Sequence, residues 1–235
     1  MIPHRVVLKL SGESLAGSLR WGIDLKALFQ IANEIKIAHQ RHIQIGVVVG
    51  GGNIWRGGRN AGLELDRVIA DNMGMLATLI NALALQDACE QVNIHTRVLS
   101  AMEVAKVAEP FIRRRAIRHL DKGRFVIFAA GTGNPYFSTD TAAALRAIEI
   151  GADLLLKATQ VDGVYSDDPA KNPKAKRYTT ISYQRAIQKK LRIMDTSALA
   201  LCQEHNLPVR VFNMHKTGNV HKAILGEKLG TLLTL

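Results

Sequence analysis

Residues 46–58 read GVVVGGGNIWRGG. An apolar, β-branched run ends in Gly50, Gly51 and Gly52, and Arg56 follows. A Val-rich segment without in/out alternation suits a strand covered on both faces, the setting of a parallel sheet. Glycine packs nothing and loses more conformational freedom than other residues. Consecutive glycines at the end of a buried strand therefore imply a sharp turn, or something that must come very close to the backbone. In open α/β sheets ligands bind at that place, beyond the carboxyl ends of strands.

The same pattern repeats along the chain. Strand-like runs read Val6 to Leu10, Ile43 to Val49, Thr96 to Leu99, Phe125 to Ala129, Leu154 to Lys157, Val209 to Phe212 and Leu232 to Leu235. Helical periodicity fills most of the gaps. Asp24 is the expected cap of a helix presenting Leu25, Leu28, Phe29, Ala32, Ile35 and Ala38 on one face. Further helices read Leu65 to Gln91, Ala101 to Lys122 with an interruption at Pro110, Thr139 to Gly151, Ser182 to Lys189, Thr196 to His205 and Asn219 to Gly226. Strands alternating with helices predict an α/β sandwich around a mostly parallel sheet. A length of 235 residues suits one sizeable domain, or one with a modest second lobe opened by the turn-rich segment Val161 to Lys176.

Composition narrows the function less. Hydrophobic residues are 47% of the chain and aromatics 5%, so the core is aliphatic. Cys89 and Cys202 match no CxxC or zinc spacing and read as buried, reduced thiols of a cytosolic protein. Strand-like alternation already within the first ten residues argues against a secretory leader, and the most apolar stretch, Met73 to Leu85, contains Asn81 and is too short to span a bilayer. The net charge of +11 favours anionic partners. Its clusters, Arg113–Arg115 with Arg118, Lys171 to Arg177, and Lys189–Lys190 with Arg192, lack interleaved aromatics and read as solvated faces, not as a nucleic-acid surface.

Four loops at predicted strand ends carry the chemistry. The first is Lys9-Leu10-Ser11-Gly12, where a lysine within a strand could reach a phosphate while Gly12 presents its N–H. The second is the opening stretch, whose successive glycine N–H groups form an anion-binding concavity beside Arg56. The third, Ala130 to Asp140, gathers Thr132, Gly133, Asn134, Pro135, Tyr136, Phe137, Ser138 and Thr139 before a helix N-terminus. The fourth runs from Asp153 through Lys157, Thr159 and Gln160 to Tyr165 and Asp168; an aspartate beside lysines can hold them oriented. Each loop taken alone also admits a purely structural reading. No GxxxxGK[ST] or GxGxxG is present, no GxSxG elbow, and no HExxH pair, so no protein-only metal cage is expected.

LKLSGES, GGGNIWRG, DNMGMLAT, AGTGNPYFSTD, LLLKATQVDGVYSDDP and RVFN together resemble the bacterial uridylate kinases of the amino-acid kinase superfamily, over essentially the whole chain. The resemblance implies a three-layer α/β/α sandwich, with an acceptor-binding part over about residues 1–150 and an ATP-binding part over about 151–235. It implies transfer of the γ-phosphoryl group of ATP to UMP, giving UDP and ADP, with Mg²⁺. It further implies a cytoplasmic homohexamer serving pyrimidine nucleotide biosynthesis. Lys9, Leu10, Ser11, Gly12, Gly52, Arg56, Thr159, Gln160, Tyr165 and Asp168 look like the ATP contacts. Gly51, Asp71 and Thr132 through Thr139 look like the UMP contacts. Lys9, Arg56, Asp140, Asp153 and Asp195 match residues needed for activity.

One departure concerns control. Many relatives are activated by GTP through basic residues on the helix after Asp71, where this chain has Gln86 and Glu90, although Arg97 and Arg124 remain. An acid where a phosphate should bind argues against that site here. The rivals are a sister kinase acting on a carboxylate or carbamate and, in another class, a basic nucleic-acid-binding regulator; Asp71 and the GTGNPYFST loop favour a nucleotide acceptor.

Overall fold

The computed structural model describes residues 2–56, 65–169, 171–172, 174–191 and 193–235. Gly57 and Gly58 of the opening stretch, Pro173 of the turn-rich segment and Arg192 of one basic cluster lie outside the described residues.

The described residues form one nine-stranded sheet that runs through the whole chain. Its strands are β1 (Arg5–Leu10), β2 (Gln44–Val49), β3 (Thr96–Ser100), β4 (Glu109–Pro110), β5 (Phe125–Ala129), β6 (Leu154–Thr159), β7 (Thr180–Ser182), β8 (Val209–Asn213) and β9 (Thr231–Thr234). The spatial order is β4-β3-β5-β2-β1-β6-β8-β9-β7. Every pairing is parallel except β8 with β9. The sheet is therefore mostly parallel, as the unalternated strands predict. β1 sits between β2 and β6, which come from opposite halves of the sheet. Its carboxyl end is a switch point of the kind that opens a ligand crevice.

Helices cover both faces. α2 (Leu25–His39), α3 (Arg67–Gln91) and α8 (Asn219–Ile224) enclose a core containing Val6, Leu8, Leu10 and Leu156. On the other face, α4 (Arg113–Asp121), α5 (Thr139–Glu149), α6 (Tyr183–Gln188) and α7 (Thr196–Glu204) enclose one containing Val7, Leu155 and Val209. The period-two alternation of a strand then fixes where the polar residues point. Lys9 follows Val7 and Lys157 follows Leu155, so both face the α5 layer. Asp24 caps α2 by accepting from Lys26 N–H at 2.9 Å. Cys89 and Cys202 are buried free thiols, each pushed up to about 12 by burial.

Two expectations are corrected. The helix expected from Ala101 to Lys122 exists only as α4; Glu109–Pro110 is instead a short strand on the sheet edge, paired with β3. Proline has no N–H and excludes helix from the residue before it, and an outer edge tolerates both. The Met73 to Leu85 stretch belongs to a helix of 25 residues, long and apolar enough to cross a bilayer. It packs on α2, β3 and β5 as a core helix of the sandwich. Two short elements, α1 (Gly12–Ala16) and β7, were not expected.

Candidate active site

The predicted loops after β1, β2, β5 and β6 all lie at the carboxyl ends of their strands, and the centre of the arrangement is an ion cluster. Lys9 and Lys157 are register partners on adjacent strands. Lys9 Nζ stands 3.0 Å from Asp140 Oδ1, and Lys157 Nζ donates to Asp140 Oδ2 at 2.5 Å and to the Ile193 carbonyl at 2.5 Å. Asp140 lies in the first turn of α5, where the helix N-terminus favours an acid. Burial alone would raise its carboxyl; the two lysines outweigh burial and hold it below the usual carboxylate range. Lys157 is shifted downward, because burial and the like charge of Lys9 prevail over Asp140.

Asp195 joins two helix starts. As N-cap of α7 it accepts from Ala198 N–H at 2.9 Å, and it also accepts from Thr141 Oγ1 at 2.8 Å and from the Ser138 hydroxyl. Ser138 in turn caps α5, accepting from Asp140 N–H at 3.0 Å.

The glycines after β2 divide by role. A Cβ on Gly51 would stand 2.8 Å from the Gly74 carbonyl of α3, so backbone packing requires glycine there. Among the described residues, nothing stands nearer to a Cβ on Gly52 than Arg56 Nε at 4.0 Å. Gly12 abuts Gly52 and Asn53 backbone, while Ser11 caps α1. Leu10 is core. Arg56 donates to the Gly52 carbonyl at 2.8 Å and to Glu13 at 2.6 Å.

A cavity of about 220 Å³ lies among Gly51, Gly52, Asp71, Thr132, Asn134 and Phe137, with Ser138 and Thr139 also on its wall. Asp71 accepts from Tyr136 N–H at 2.8 Å and from Arg67 Nε at 2.8 Å. These bonds outweigh burial and keep its carboxyl below the ordinary value. Arg67 also lies 5.6 Å from the Tyr136 ring centroid. Tyr136 and Phe137 are exposed, with Pro135 before them, and Gly133 packs on the Ala101 carbonyl. Beyond β6 a cavity of about 530 Å³ is lined by Thr159, Tyr165 and Asp168. Gln160 is exposed in the same loop. A third cavity, about 610 Å³, holds Asp140 and Lys157 and shares Lys190, Leu191 and Ile193 with the second.

Asp153 stands apart from these groups. It lies at the amino end of β6, where its carboxylate accepts from His4 N–H at 2.8 Å and Arg5 N–H at 2.9 Å. The aspartate that holds lysines is Asp140. Lys157, placed by its sequence in the fourth loop, is held by Asp140 and not by Asp153; Arg67, Glu13 and Thr78 join the site without having been expected there. Lys157 had a signal: like Lys9, it is a cation inside an otherwise apolar run.

Among the described residues no three of His, Cys, Asp or Glu gather to hold a metal. A cation here would have to bring most of its ligands with it, as a nucleotide-bound divalent ion does. Asp140 Oδ1 is buried with the Lys9 ammonium 3.0 Å away, so it would serve such an ion or its waters only while shared with Lys9.

A sequence model of the Amino acid kinase family matches residues 4–213. The uridylate kinase of Methylococcus capsulatus is 56% identical over 229 residues, 97% of this chain and 96% of its own length. A crystal structure of UMP kinase from Bacillus anthracis superposes with a TM-score of 0.96 at 41% identity, covering 100% of this chain and 97% of the other. UMP kinase from Ureaplasma parvum gives 0.94 at 39% identity, with 100% of both chains covered.

Proposed function

The chain belongs to the amino acid kinase family, and from that membership we propose that it transfers the γ-phosphoryl group of ATP to UMP, giving UDP and ADP. The observation that carries this reading is the pair of ammonium groups, Lys9 and Lys157, held by one carboxylate, Asp140, which lines the third cavity and directly follows Thr139 on the wall of the smaller one. UMP is already largely a dianion at neutral pH, since the second pKa of a phosphate monoester is near ~6. Its attacking oxygen needs no general base. The obstacle is bringing two polyanions together, so catalysis is mostly positioning and charge neutralisation.

In this reading the smaller cavity takes UMP, with Asp71 on the ribose and Gly51 and Thr132 through Thr139 around the nucleotide. Lys9, Ser11, Gly12, Gly52 and Arg56 serve the ATP phosphates, and Thr159, Gln160, Tyr165 and Asp168 the adenosine. Lys9 and Lys157 neutralise charge on the transferring group, and Asp140 keeps both in place. Asp195 orders the starts of α5 and α7. A kinase of this kind works with a divalent metal; Mg²⁺ arriving with the triphosphate would lower the charge on the phosphate oxygens, and Asp140 is the carboxylate that would hold its waters. The division into an acceptor part over about 1–150 and an ATP part over about 151–235 is supported by the cavity linings, residues 51–139 around the smaller cavity and 159–211 around the one beyond β6, with the phosphate contacts of the first part bridging them. The reading includes assembly as a cytoplasmic homohexamer; the exposed apolar stripe Ile69, Met73, Leu76 and Ile80 on α3 supports self-association, without fixing its number of subunits.

A coupled ATPase assay offering UMP, CMP, aspartate and acetylglutamate tests the reading. Turnover with UMP is expected. Turnover with a carboxylate acceptor and none with UMP would reverse it.

A further inference from the structure

We propose that Arg146 is a positioning residue for the acceptor loop, a clamp that fixes Gly131 and Thr132 without touching substrate. The inference rests on the reading of residues 130–139 as the acceptor side. Arg146 lies on α5 and is only 4% exposed. Burying a guanidinium is costly unless it is paired and hydrogen-bonded. Its partners are few and specific. Nη1 donates to Glu149 Oε2 at 2.6 Å, the Phe111 ring lies under the guanidinium with its centroid 3.8 Å from Cζ, and Nη2 donates to the Gly131 carbonyl at 3.3 Å. Glu149 and Phe111 seat the group, and the Gly131 carbonyl is what the seated group holds.

That carbonyl belongs to a turn that needs holding. Ala130 has φ 61° and Gly131 φ 58°, two left-handed residues in succession, and an alanine rarely adopts that conformation. Thr78 Oγ1 of α3 accepts from Ala130 N–H at 2.8 Å, and Gly133 N–H donates to the Ala130 carbonyl at 2.9 Å. The turn is thus gripped by Thr78 from one side of the sheet and Arg146 from the other, and it presents Gly131 and Thr132 to the smaller cavity. A lysine cannot replace the clamp: it lacks the flat face that stacks on Phe111 and the fork that serves Glu149 and Gly131 together.

The test is Arg146→Lys, with Phe111→Leu as a second variant that keeps the guanidinium but removes its seat. The first readout is hydrogen exchange of the Ala130 and Gly133 amides in ligand-free protein, compared with β1 and β6 amides. The second is KM for UMP against KM for ATP. Losing a hydrogen bond of ordinary strength is expected to speed loop exchange and raise the UMP KM by about 3–10-fold in Arg146→Lys, and less in Phe111→Leu. The core amides and the ATP KM are expected to stay within about twofold. Unchanged loop exchange in either folded variant overturns the clamp, as does a parallel rise of both KM values. If the wild-type enzyme fails to phosphorylate UMP, the kinase reading falls while the exchange measurement still decides the clamp.

Discussion

Lys9 of β1 and Lys157 of β6 face each other in register across adjacent parallel strands, and both ammonium groups converge on Asp140. Two cations placed side by side repel, and the carboxylate between them is what makes the arrangement stable. The side chains are 12%, 13% and 14% exposed, so solvent screens the cluster little.

Asp140→Asn leaves two ammonium groups without their counter-charge. Removing one partner of a buried ion pair costs about 3 kcal/mol, and a chain of this size should lose roughly 6–12 °C in Tm. The pH dependence has a definite sign. The folded carboxyl titrates below its ordinary value, so its stabilisation is present above the unfolded pKa of about 3.9 and lost as pH falls through the lower folded value. Urea midpoints of wild type and variant should differ most near pH 7 and converge below about pH 4. Curves that stay parallel down to the acid limit would rule out Asp140 as the source.

Lys9→Ala removes a preorganised donor at the centre of the cluster. Loss of such a donor lowers turnover by about 10²–10³-fold. Steady-state kcat at saturating ATP and UMP measures it. A folded variant with near-wild-type kcat would take Lys9 out of the mechanism.

Asp153 ties the amino end of β6 to the start of β1 through two backbone N–H groups. Asp153→Ala should therefore cost about 1–3 kcal/mol of stability and leave kcat within a few-fold of wild type. Thermal melts and kinetics on the same preparation separate the two effects. A collapse of kcat with Tm preserved would return Asp153 to the chemistry.

Glu34 is a buried acid whose carboxylate accepts from the N–H groups of Gly218, Val220 and His221 at 2.9–3.2 Å. It supplies in trans the cap that Gly218, the N-cap of α8, cannot provide. Glu34→Gln keeps the size but not the charge, and bonds to a charged acceptor are worth about 1.5–3 kcal/mol. A fall in Tm of roughly 3–10 °C is expected. An unchanged Tm would show the cap to be dispensable.

The sandwich was legible because its strands are apolar runs and its helices carry period and caps, as at Asp24. The 101–122 segment misled because its apolar spacing suited a helix, while the sheet edge needed only two residues around Pro110. In the site, loop glycines and hydroxyls could be read from local sequence. The pairing of Lys9 with Lys157 depends on register between strands more than a hundred residues apart, and the service of Asp140 to both depends on how α5 packs over them. No local spacing encodes either. Asp153 shows the converse: next to a buried strand in sequence, it sits at the end away from the crevice.

Gly51 and Gly52 stand side by side, and the structure gives them different reasons to be glycine. On Gly51 an added methyl would meet the Gly74 carbonyl at 2.8 Å and the Ala77 Cβ at 2.9 Å, both on the core helix α3. Such overpacking costs about 1–3 kcal/mol, so Gly51→Ala should lower Tm by roughly 2–10 °C. On Gly52 the nearest atom among the described residues is 4.0 Å away, so Gly52→Ala should melt like wild type. On the proposed assignment of Gly52 to the ATP phosphates, its methyl would instead stand between phosphate oxygens and the main-chain N–H groups, raising the ATP KM by about tenfold or more. Melting curves and ATP titrations of the two variants give a crossed pattern. Equal losses of stability in both, or a Gly52→Ala enzyme with unaltered ATP KM, would mean that the bare backbone at position 52 is not a phosphate contact.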